Sequence, residues 1–261
     1  MLLAIDVGNT QTVIGLYGND DSSHELLDHW RIATNHDRTS DEHALLFQEF
    51  LSFAGYDWQS DIAGVAISSG VPMVTMELRR MCERYLNIEP VVLGAGVKTG
   101  MPVLYDNPRE VGADRIANAV GAYDLFGGPT IVVDFGTATT FDVISSNGEY
   151  MGGAIVPGIE ISMDALFGRA AALRRVELVE PRSVIGKTTV ESIQSGAVYG
   201  YSSLVDGMCD RIEDVIGDAT IVATGGLAGL IAPVTTSIEH EEPWLTLHGL
   251  RLIWEKNHQR D

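Results

Sequence analysis

Cysteine is nearly absent from this sequence of 261 residues, which contains only Cys82 and Cys209. Two isolated thiols provide neither a disulfide framework nor a cysteine-rich metal cluster, so we expect two free thiols within helices. A long apolar run is also missing, as is a basic and then apolar leader after Met1. These absences argue against a membrane-spanning helix and a secretory signal. They predict a cytoplasmic protein that does not act at a membrane.

Positive charge is scarce as well. The chain has 17 lysine and arginine residues against 36 aspartate and glutamate residues, a formal net charge of −19. Such a field repels DNA, RNA and anionic membranes, so we expect no nucleic-acid partner. A site for a phosphate would have to be built locally from backbone N–H groups, a few cations and a metal ion. The acidity has two interpretations, which are general solubility and adaptation to high salt.

Several catalytic and nucleotide-binding motifs are also missing. The chain contains no GxxxxGK[ST] phosphate loop, and no GxGxxG follows a strand. It has no GxSxG, and none of its seven histidines has the HExxH spacing. These absences argue against phosphate-loop nucleotidases, dinucleotide-binding folds, serine hydrolases and metal hydrolases of those types.

Two stretches of the chain share one pattern. A buried strand ends in Asp-x-Gly followed by short polar side chains, and a second strand follows; the pattern begins at Asp6 in the first half and at Asp134 in the second. Glycine lets the backbone approach a ligand closely, and the polar residues offer hydroxyl and N–H donors. The repetition predicts a duplicated α/β fold with a nucleotide in the cleft between the halves, 1–116 and 117–261. The alternative is a pair of ordinary hairpins with polar turns.

The stretch Asn107–Tyr123 connects these halves. It opens with a turn at Asn107-Pro108, places Asp114 beside Arg115, and is predicted to be helical from Ile116. An adjacent acid and base at the start of a helix are consistent with a surface ion pair. The duplicated turns on either side favour a second interpretation, in which the pair binds a substrate.

Other helices and strands follow from apolar periodicity. A helix is predicted over Ser40–Gly55, with Thr39 or Ser40 as its N-cap, and a long helix over Val190–Ile216. The glycine turn at Gly225-Gly226 is consistent with a nucleotide base or ribose on bare backbone, or with a plain strand-to-helix turn. The chain is predicted to end in a strand, Trp244–Leu247, and a helix, Leu250–Lys256. The apolar stripe of the first helix is predicted to consist of Leu45, Leu46, Phe50, Leu51 and Phe53.

Six segments, in order along nearly the whole chain, resemble the type III pantothenate kinases. They are DVGNT at Asp6–Thr10, NPREVGADR at Asn107–Arg115, DFGTATTFD at Asp134–Asp142, GGAIVPG at Gly152–Gly158, IGKTTVESIQSG at Ile185–Gly196 and TGG at Thr224–Gly226. The resemblance implies two duplicated ribonuclease-H-like domains of the acetate kinase, sugar kinase, Hsp70 and actin superfamily. It also implies a homodimer that phosphorylates pantothenate with ATP, the first step of coenzyme A synthesis.

The resemblance also implies the substrate site. Asp114 matches the residue that accepts the proton of the pantothenate hydroxyl, and Arg115 would pair with the pantothenate carboxylate. Gly112 and Ala113 would let the backbone approach the substrate, and Tyr105, which we expect to be exposed, would line its pocket. Thr189 matches a substrate-binding threonine that acts across the dimer interface. The family often has Asn where this chain has Thr188, which puts the contacts of that amide in doubt.

For ATP, the resemblance implies contacts from both turns. The nucleotide phosphates would meet Asp6, Val7, Gly8, Asn9, Thr10, Gln11, Thr12, Val13 and Thr137. Asp6 would act through Mg²⁺, and Asp134 would hold a monovalent cation, K⁺ or NH₄⁺. The alternative from another class is a nucleotide-binding regulatory or filament protein of the same superfamily, without catalysis.

Overall fold

The computed structural model describes residues 1–18, 25–170 and 173–258. Its strands are β1 (Leu2–Val7), β2 (Gln11–Tyr17), β3 (Leu26–Ala33), β4 (Gly64–Ser69), β5 (Val91–Val92), β6 (Thr130–Phe135), β7 (Ala138–Ile144), β8 (Tyr150–Pro157), β9 (Thr220–Thr224) and β10 (His240–Glu241). Its α-helices are α1 (Ser40–Phe53), α2 (Pro72–Met81), α3 (Ala113–Phe126), α4 (Ile159–Arg169), α5 (Thr189–Ile216), α6 (Ala228–Ile231) and α7 (Leu245–His258). The alternation of strands and helices confirms the predicted α/β class.

The first sheet has the strand order β3-β2-β1-β4-β5. Strand β2 runs antiparallel to both β1 and β3, whereas β4 runs parallel to β1 and β5 runs parallel to β4. Alternate residues of β1, Leu3, Ile5 and Val7, enter a core with α1 and α2. Because side chains alternate along a strand, Asp6 points to the opposite face. Helix α7 packs against β1 and β4.

The second sheet repeats this arrangement. Its order is β10-β9-β6-β7-β8, with β6, β7 and β8 antiparallel and β9 and β10 parallel to β6. Ile131, Val133 and Phe135 of β6 enter a core with α5 and α6. The equivalent order and direction of five strands in each sheet confirm the duplication and two ribonuclease-H-like domains.

The compact units differ from the predicted halves, 1–116 and 117–261. The first unit comprises residues 1–100, 106–121 and 245–261, and the second comprises 101–105 and 122–244. The C-terminal segment returns to the first unit because α7 packs on its sheet. Gly64 of β4 lies against the indole of Trp254, where any side chain would collide with the ring.

Three local predictions were wrong. Trp244–Leu247 is not a strand, because Leu245 already begins α7 and its buried residues Leu245, Leu250 and Ile253 follow a helical period. Helix α3 begins at Ala113, three residues before the predicted start. The predicted apolar stripe of α1 was wrong in part, because Leu45 and Phe53 are exposed. Leu51 is buried with His43, Ala44 and Phe47, and Leu46 and Phe50 pack against the same core.

The predictions for the N-cap of α1 and for the two cysteines were confirmed. Thr39 is the N-cap of α1, and its side chain and that of Glu42 form a reciprocal capping box. Cys82 and Cys209 are free and buried, and burial raises the pKa of each thiol to about 12. Within the described ranges, no helix is long and apolar enough to cross a membrane.

Candidate active site

The turn after β1 is closed by its own backbone. The N–H of Gly8 donates to the carbonyl of Gln11 at 3.0 Å. Asp6 is half-buried just before this turn, and Asn9, Thr10 and Gln11 are exposed. Val7 lies in the core, so it offers only backbone groups to a ligand. The turn therefore presents backbone N–H groups and short polar side chains, as a phosphate site requires.

Thr34, just after β3, holds this turn in place. Its hydroxyl donates to the carbonyl of Gly8 at 2.7 Å, and its N–H donates to the carbonyl of Thr10 at 2.9 Å. The hydroxyls of Thr34 and the buried Thr12 are 2.9 Å apart. Sequence reasoning missed Thr34, because its role depends on the pairing of β2 with β3.

The segment that precedes α3 is built around Asn107. Residues Pro108–Glu110 form a 3₁₀ turn that the side chain of Asn107 caps, and its amide donates to Glu110 at 2.7 Å. The N–H of Ile116 donates to the carbonyl of Gly112 at 3.2 Å, the first hydrogen bond of α3. A side chain at Gly112 would collide with the carboxylate of Asp114. A side chain at Gly112 would therefore have to displace that carboxylate from its position.

Asp114 and Arg115 differ sharply in their surroundings. Asp114 is exposed in the first turn of α3, whereas Arg115 is buried, with 8% of its surface exposed. The carboxylate of Asp114 accepts the N–H of Arg115 at 2.9 Å. Consecutive residues of a helix project about 100° apart, so the two side chains diverge. The surface ion pair considered from the sequence does not describe a guanidinium with this burial.

The turn after β6 in the second unit repeats the first turn. The N–H of Gly136 donates to the carbonyl of Ala138 at 3.1 Å. Asp134 is half-buried, and Gly136 and Thr137 are exposed. The duplication thus extends from the order of the strands to the closure of the turn.

Two glycines pack against the second turn. The N–H of Gly158 donates to the carbonyl of Thr137 at 3.1 Å, and a Cβ on Gly158 would lie 2.6 Å from the carbonyl oxygen of Gly136. Gly225 has a φ of +92°, and a Cβ there would lie 2.5 Å from Oδ1 of Asp134. Only glycine fits both cradles. Sequence reasoning did not predict that Gly158 and Gly225 pack against this turn. Both glycines do lie in motifs that it singled out, GGAIVPG and TGG.

Tyr105 lies on β8 rather than in solvent. It is half-buried, and its ring centroid is 6.5 Å from that of Tyr150. The expectation of an exposed aromatic was therefore wrong. The strand pairing that gives Tyr105 this position has no signal in the local sequence.

Thr189 is exposed as the first residue of α5. Thr188 is the N-cap of this helix, and its hydroxyl accepts the N–H of Glu191 at 3.1 Å. Thr and Asn are both favoured N-cap residues, Asn somewhat more so, and Thr188 fills the N-cap position in this chain. Hydrogen bonds from the Lys187 N–H and from Arg182 lower the pKa of Glu191.

The oxygen groups of the two turns suit hard cations. In the described parts of the chain, no cluster of three His, Cys, Asp or Glu side chains could hold a metal ion. Mg²⁺ bound through phosphates needs only one or two carboxylates and keeps several waters, so the half-buried Asp6 fits it. Oδ1 of Asp134 lies against the backbone of Gly225, a cradle that leaves no space for a side chain. The carboxylate of Asp134 is an oxygen ligand of the kind that a hard monovalent cation takes.

The predicted residues therefore form local groups. The first unit contains the turn Gly8–Val13 with Asp6 and, separately, Gly112, Ala113, Asp114 and Arg115. The second unit contains Asp134 and Thr137 in one turn, Tyr105 against β8, and Thr189 at the start of α5. The functional assignments of these residues stay predictions.

Comparison with known proteins identifies the family of this chain. A model of the family described as type III pantothenate kinase matches residues 2–211. The chain is 53% identical over 258 residues to a protein of Moorella thermoacetica named type III pantothenate kinase, covering 98% of this chain and 100% of the relative. A protein of the same name from an Anaeromyxobacter species is 55% identical with the same coverage.

Solved structures show the fold. A putative 2-dehydro-3-deoxygalactonokinase from Sinorhizobium meliloti aligns with a TM-score of 0.61 and 11% identity, covering 100% of this chain and 98% of that one. Identity this low supports similarity of the fold alone. The family match and the high identity to full-length relatives establish more: the chain belongs to the type III pantothenate kinase family.

Proposed function

We propose that this chain is an ATP-dependent pantothenate kinase in which Asp114 is the catalytic base. The observation that carries the proposal is an exposed carboxylate in the first turn of α3, next to a buried arginine, in a chain 53% identical to a named kinase. The reaction is phosphorylation of pantothenate to 4′-phosphopantothenate, the first step of coenzyme A synthesis.

Asp114 and Arg115 divide the substrate between them. Asp114 accepts the proton of the primary hydroxyl as that oxygen bonds to the γ-phosphorus and the bond from this phosphorus to the ADP oxygen breaks. A positioned base of this kind contributes on the order of 10²–10⁴-fold to the rate. Arg115 binds the carboxylate of pantothenate, for which its planar fork is suited. The divergence of the two side chains lets neighbouring residues serve opposite ends of one substrate.

The remaining substrate contacts come from backbone and from short side chains. Gly112 and Ala113 bring the backbone close to pantothenate, Tyr105 lines its pocket, and Thr189 contacts it from the partner subunit. The arrangement around Gly112 supports this assignment, because the absence of a side chain there lets the carboxylate of Asp114 lie against the backbone of Gly112.

ATP binds the two Asp-x-Gly turns. The turn Gly8–Val13 and Thr137 contact the phosphates through N–H and hydroxyl groups. Asp6 holds Mg²⁺, which when bound neutralises phosphate charge. Asp134 holds K⁺ or NH₄⁺, a role supported by the bare backbone of Gly225 against its carboxylate.

The protein acts as a homodimer in the cytoplasm, without nucleic acid or membrane partners. Large exposed apolar side chains in the second unit support the dimer, because such surface favours association. They include Ile155, Val184, Ile185 and Val190, which are 61%, 63%, 75% and 48% exposed. Three of the four are within five residues of Thr189 in the sequence, consistent with its proposed role across the interface.

The direct test measures ADP release from the purified protein with pantothenate, ATP, Mg²⁺ and K⁺. We expect turnover that requires pantothenate and that falls sharply when Na⁺ replaces K⁺. Absence of pantothenate-dependent turnover would contradict the kinase assignment. Equal rates in K⁺ and Na⁺ would contradict only the selective site at Asp134.

Membership of the kinase family favours catalysis over the regulatory or filament alternative. Sedimentation with ATP distinguishes the two. A species of about twice 28.2 kDa is expected for the kinase, and polymerisation with ATP is expected for a filament.

A further inference from the structure

A buried acid in the second sheet is not used by the proposed reaction. Asp142 of β7 has no exposed surface. Its Oδ1 accepts the hydroxyl of Tyr150 at 2.7 Å, and its Oδ2 accepts the hydroxyl of Thr140 at 3.0 Å. Burying a carboxyl group is costly unless such bonds compensate it. Its placement in the DFGTATTFD segment, eight residues after Asp134, invites a functional explanation.

The backbone of Tyr150 is hydrogen-bonded to the segment of residues 102–104. Its N–H donates to the carbonyl of Pro102 at 2.8 Å, and its carbonyl accepts the N–H of Leu104 at 2.8 Å. Val103 thereby forms a parallel bridge with Tyr150. Tyr150 is fully buried. It is therefore held at its hydroxyl by Asp142 and at its backbone by residues 102–104.

The segment ends in Tyr105, whose ring lies on Tyr150 and Gly152. The rings of Tyr105 and Tyr150 are tilted by 49° with centroids 6.5 Å apart. Gly152 has a φ of +115°, and a Cβ there would lie 3.4 Å from the ring of Tyr105. This surface fixes the ring against the start of β8, so a shift of Tyr150 would be transmitted to Tyr105.

We propose that Asp142 and Tyr150 are positioning residues that act through Tyr105 to shape the pantothenate pocket. The inference rests on the proposed function, since it takes Tyr105 as a pocket residue. Neither residue touches the substrate. Their hydrogen bond holds the backbone of residues 102–104, and that backbone holds the tyrosine ring. Loss of the hydrogen bond between Asp142 and Tyr150 weakens pantothenate binding and leaves ATP binding and the chemical step unchanged.

The test is a double-mutant cycle with Tyr150→Phe and Tyr105→Ala, measuring kcat and the KM for each substrate. Tyr150→Phe removes one hydroxyl and keeps the ring. We expect it to raise the pantothenate KM about tenfold, with kcat and the ATP KM changed less than about twofold. In the Tyr105→Ala background, the same substitution should change the pantothenate KM less than about twofold. The expected coupling is a factor of about ten, or about 1.4 kcal/mol.

Controls separate this inference from a structural effect and from the proposed function. Tyr17→Phe removes the hydroxyl of another buried tyrosine, in β2, and should leave the pantothenate KM unchanged. Asp142→Asn should reproduce the direction of the Tyr150→Phe effect. Equal effects of Tyr150→Phe in both backgrounds, or a matching rise in the ATP KM, would overturn the inference. Wild-type turnover of pantothenate with such a result would leave the kinase assignment intact.

Discussion

Adjacent residues in this chain meet very different surroundings. Asp114 is exposed and Arg115 is buried, although both are in the first turn of α3. Each helical residue turns the side chain by about 100°, so one carboxylate and one guanidinium leave the backbone in different directions. Under the proposed function, this divergence would let one helix start bind both ends of a small substrate. The pattern Asp-Arg predicts the chemistry, and the helix start supplies the geometry.

Replacement of Asp114 by Asn tests the base directly. Asn has the same shape but accepts no proton, so we expect kcat to fall by about 10²–10⁴-fold while the melting temperature stays near that of the wild type. Steady-state ADP release and thermal melting measure the two quantities. Asp210→Asn, an exposed substitution on α5, is the matched control and should keep full activity. Near-normal turnover in Asp114→Asn would remove Asp114 from the role of base.

Connections between elements hold the two phosphate turns. Thr34 after β3 ties the first turn, and Gly158 between β8 and α4 lies against the second. In each case the supporting residue follows the third strand of its sheet. The duplication therefore includes the support of the turn. In each unit a backbone N–H donates to a carbonyl of the turn, from Thr34 to Thr10 and from Gly158 to Thr137, and the first unit adds the hydroxyl of Thr34.

Gly158→Ala tests the support of the second turn. The φ of Gly158 is −65°, which alanine adopts freely, so the expected damage comes from the collision of Cβ with the turn. Overpacking of this kind costs about 1–3 kcal/mol. We expect kcat/KM for ATP to fall at least about tenfold in kinetic assays.

Gly168→Ala is the matched control for that substitution, because Gly168 lies in the same helix with no atom near its Cβ position. It should keep the wild-type kcat/KM. If Gly158→Ala had the same ATP kinetics as Gly168→Ala, the proposed support of the turn by Gly158 would be wrong.

A buried histidine in helix α1, His43, leads us to expect that the stability of the protein depends on pH. His43 is buried against Phe47, and neither of its ring nitrogens has a hydrogen-bond partner among the described residues. Burial, and then the charge of Arg38, lowers the pKa of His43 to about 4, against the opposing charges of Glu77 and Glu42. The unfolded chain binds a proton near pH 6.5. Stability is therefore complete above pH 6.5 and is lost as the pH falls toward 4.

Urea unfolding at pH 7, 6 and 5 measures this dependence. We expect the free energy of unfolding to decrease over this range in the wild type and to decrease less in His43→Leu. His36→Leu, which changes an exposed histidine, should keep the wild-type slope. If the free energy of unfolding decreased equally with pH in the wild type and in His43→Leu, a group other than His43 would control the loss of stability.

Charge acts across the entire chain. A net charge of −19 produces repulsion that the few cations do not balance, and at 0.1 M salt ions screen the repulsion between exposed charges more than about 10 Å apart. An acidic chain adapted to high salt should need this screening, whereas one whose acidity serves only solubility should not.

The melting temperature at low and at molar salt distinguishes these interpretations. We expect a strong rise between low salt and molar KCl, with a similar rise in NaCl because screening does not depend on the cation. A rise that saturates in millimolar KCl and is absent in NaCl would instead report a bound K⁺. A flat response in both salts would remove the hypothesis of salt adaptation.

Local patterns in the sequence were enough to predict the α/β class, the two Asp-x-Gly turns, the N-cap of α1 and the family. These features depend on residues close together in the chain, through periodicity, turn chemistry and short motifs. The start of α3 and the last helix were misjudged, because local propensity was weaker than packing at Ala113 and at Leu245.

Long-range pairing decided the rest. Residues 245–261 belong to the first unit because α7 packs on β1 and β4. No residue close to α7 in the sequence indicates this packing. Thr34 supports a turn more than twenty residues earlier, and Tyr105 is held by Tyr150, 45 residues away. Such contacts arise only when strands align and bury their faces, so their partners are set by register and packing. The sequence predicted which groups do the chemistry, and the tertiary structure determined which residues contact those groups.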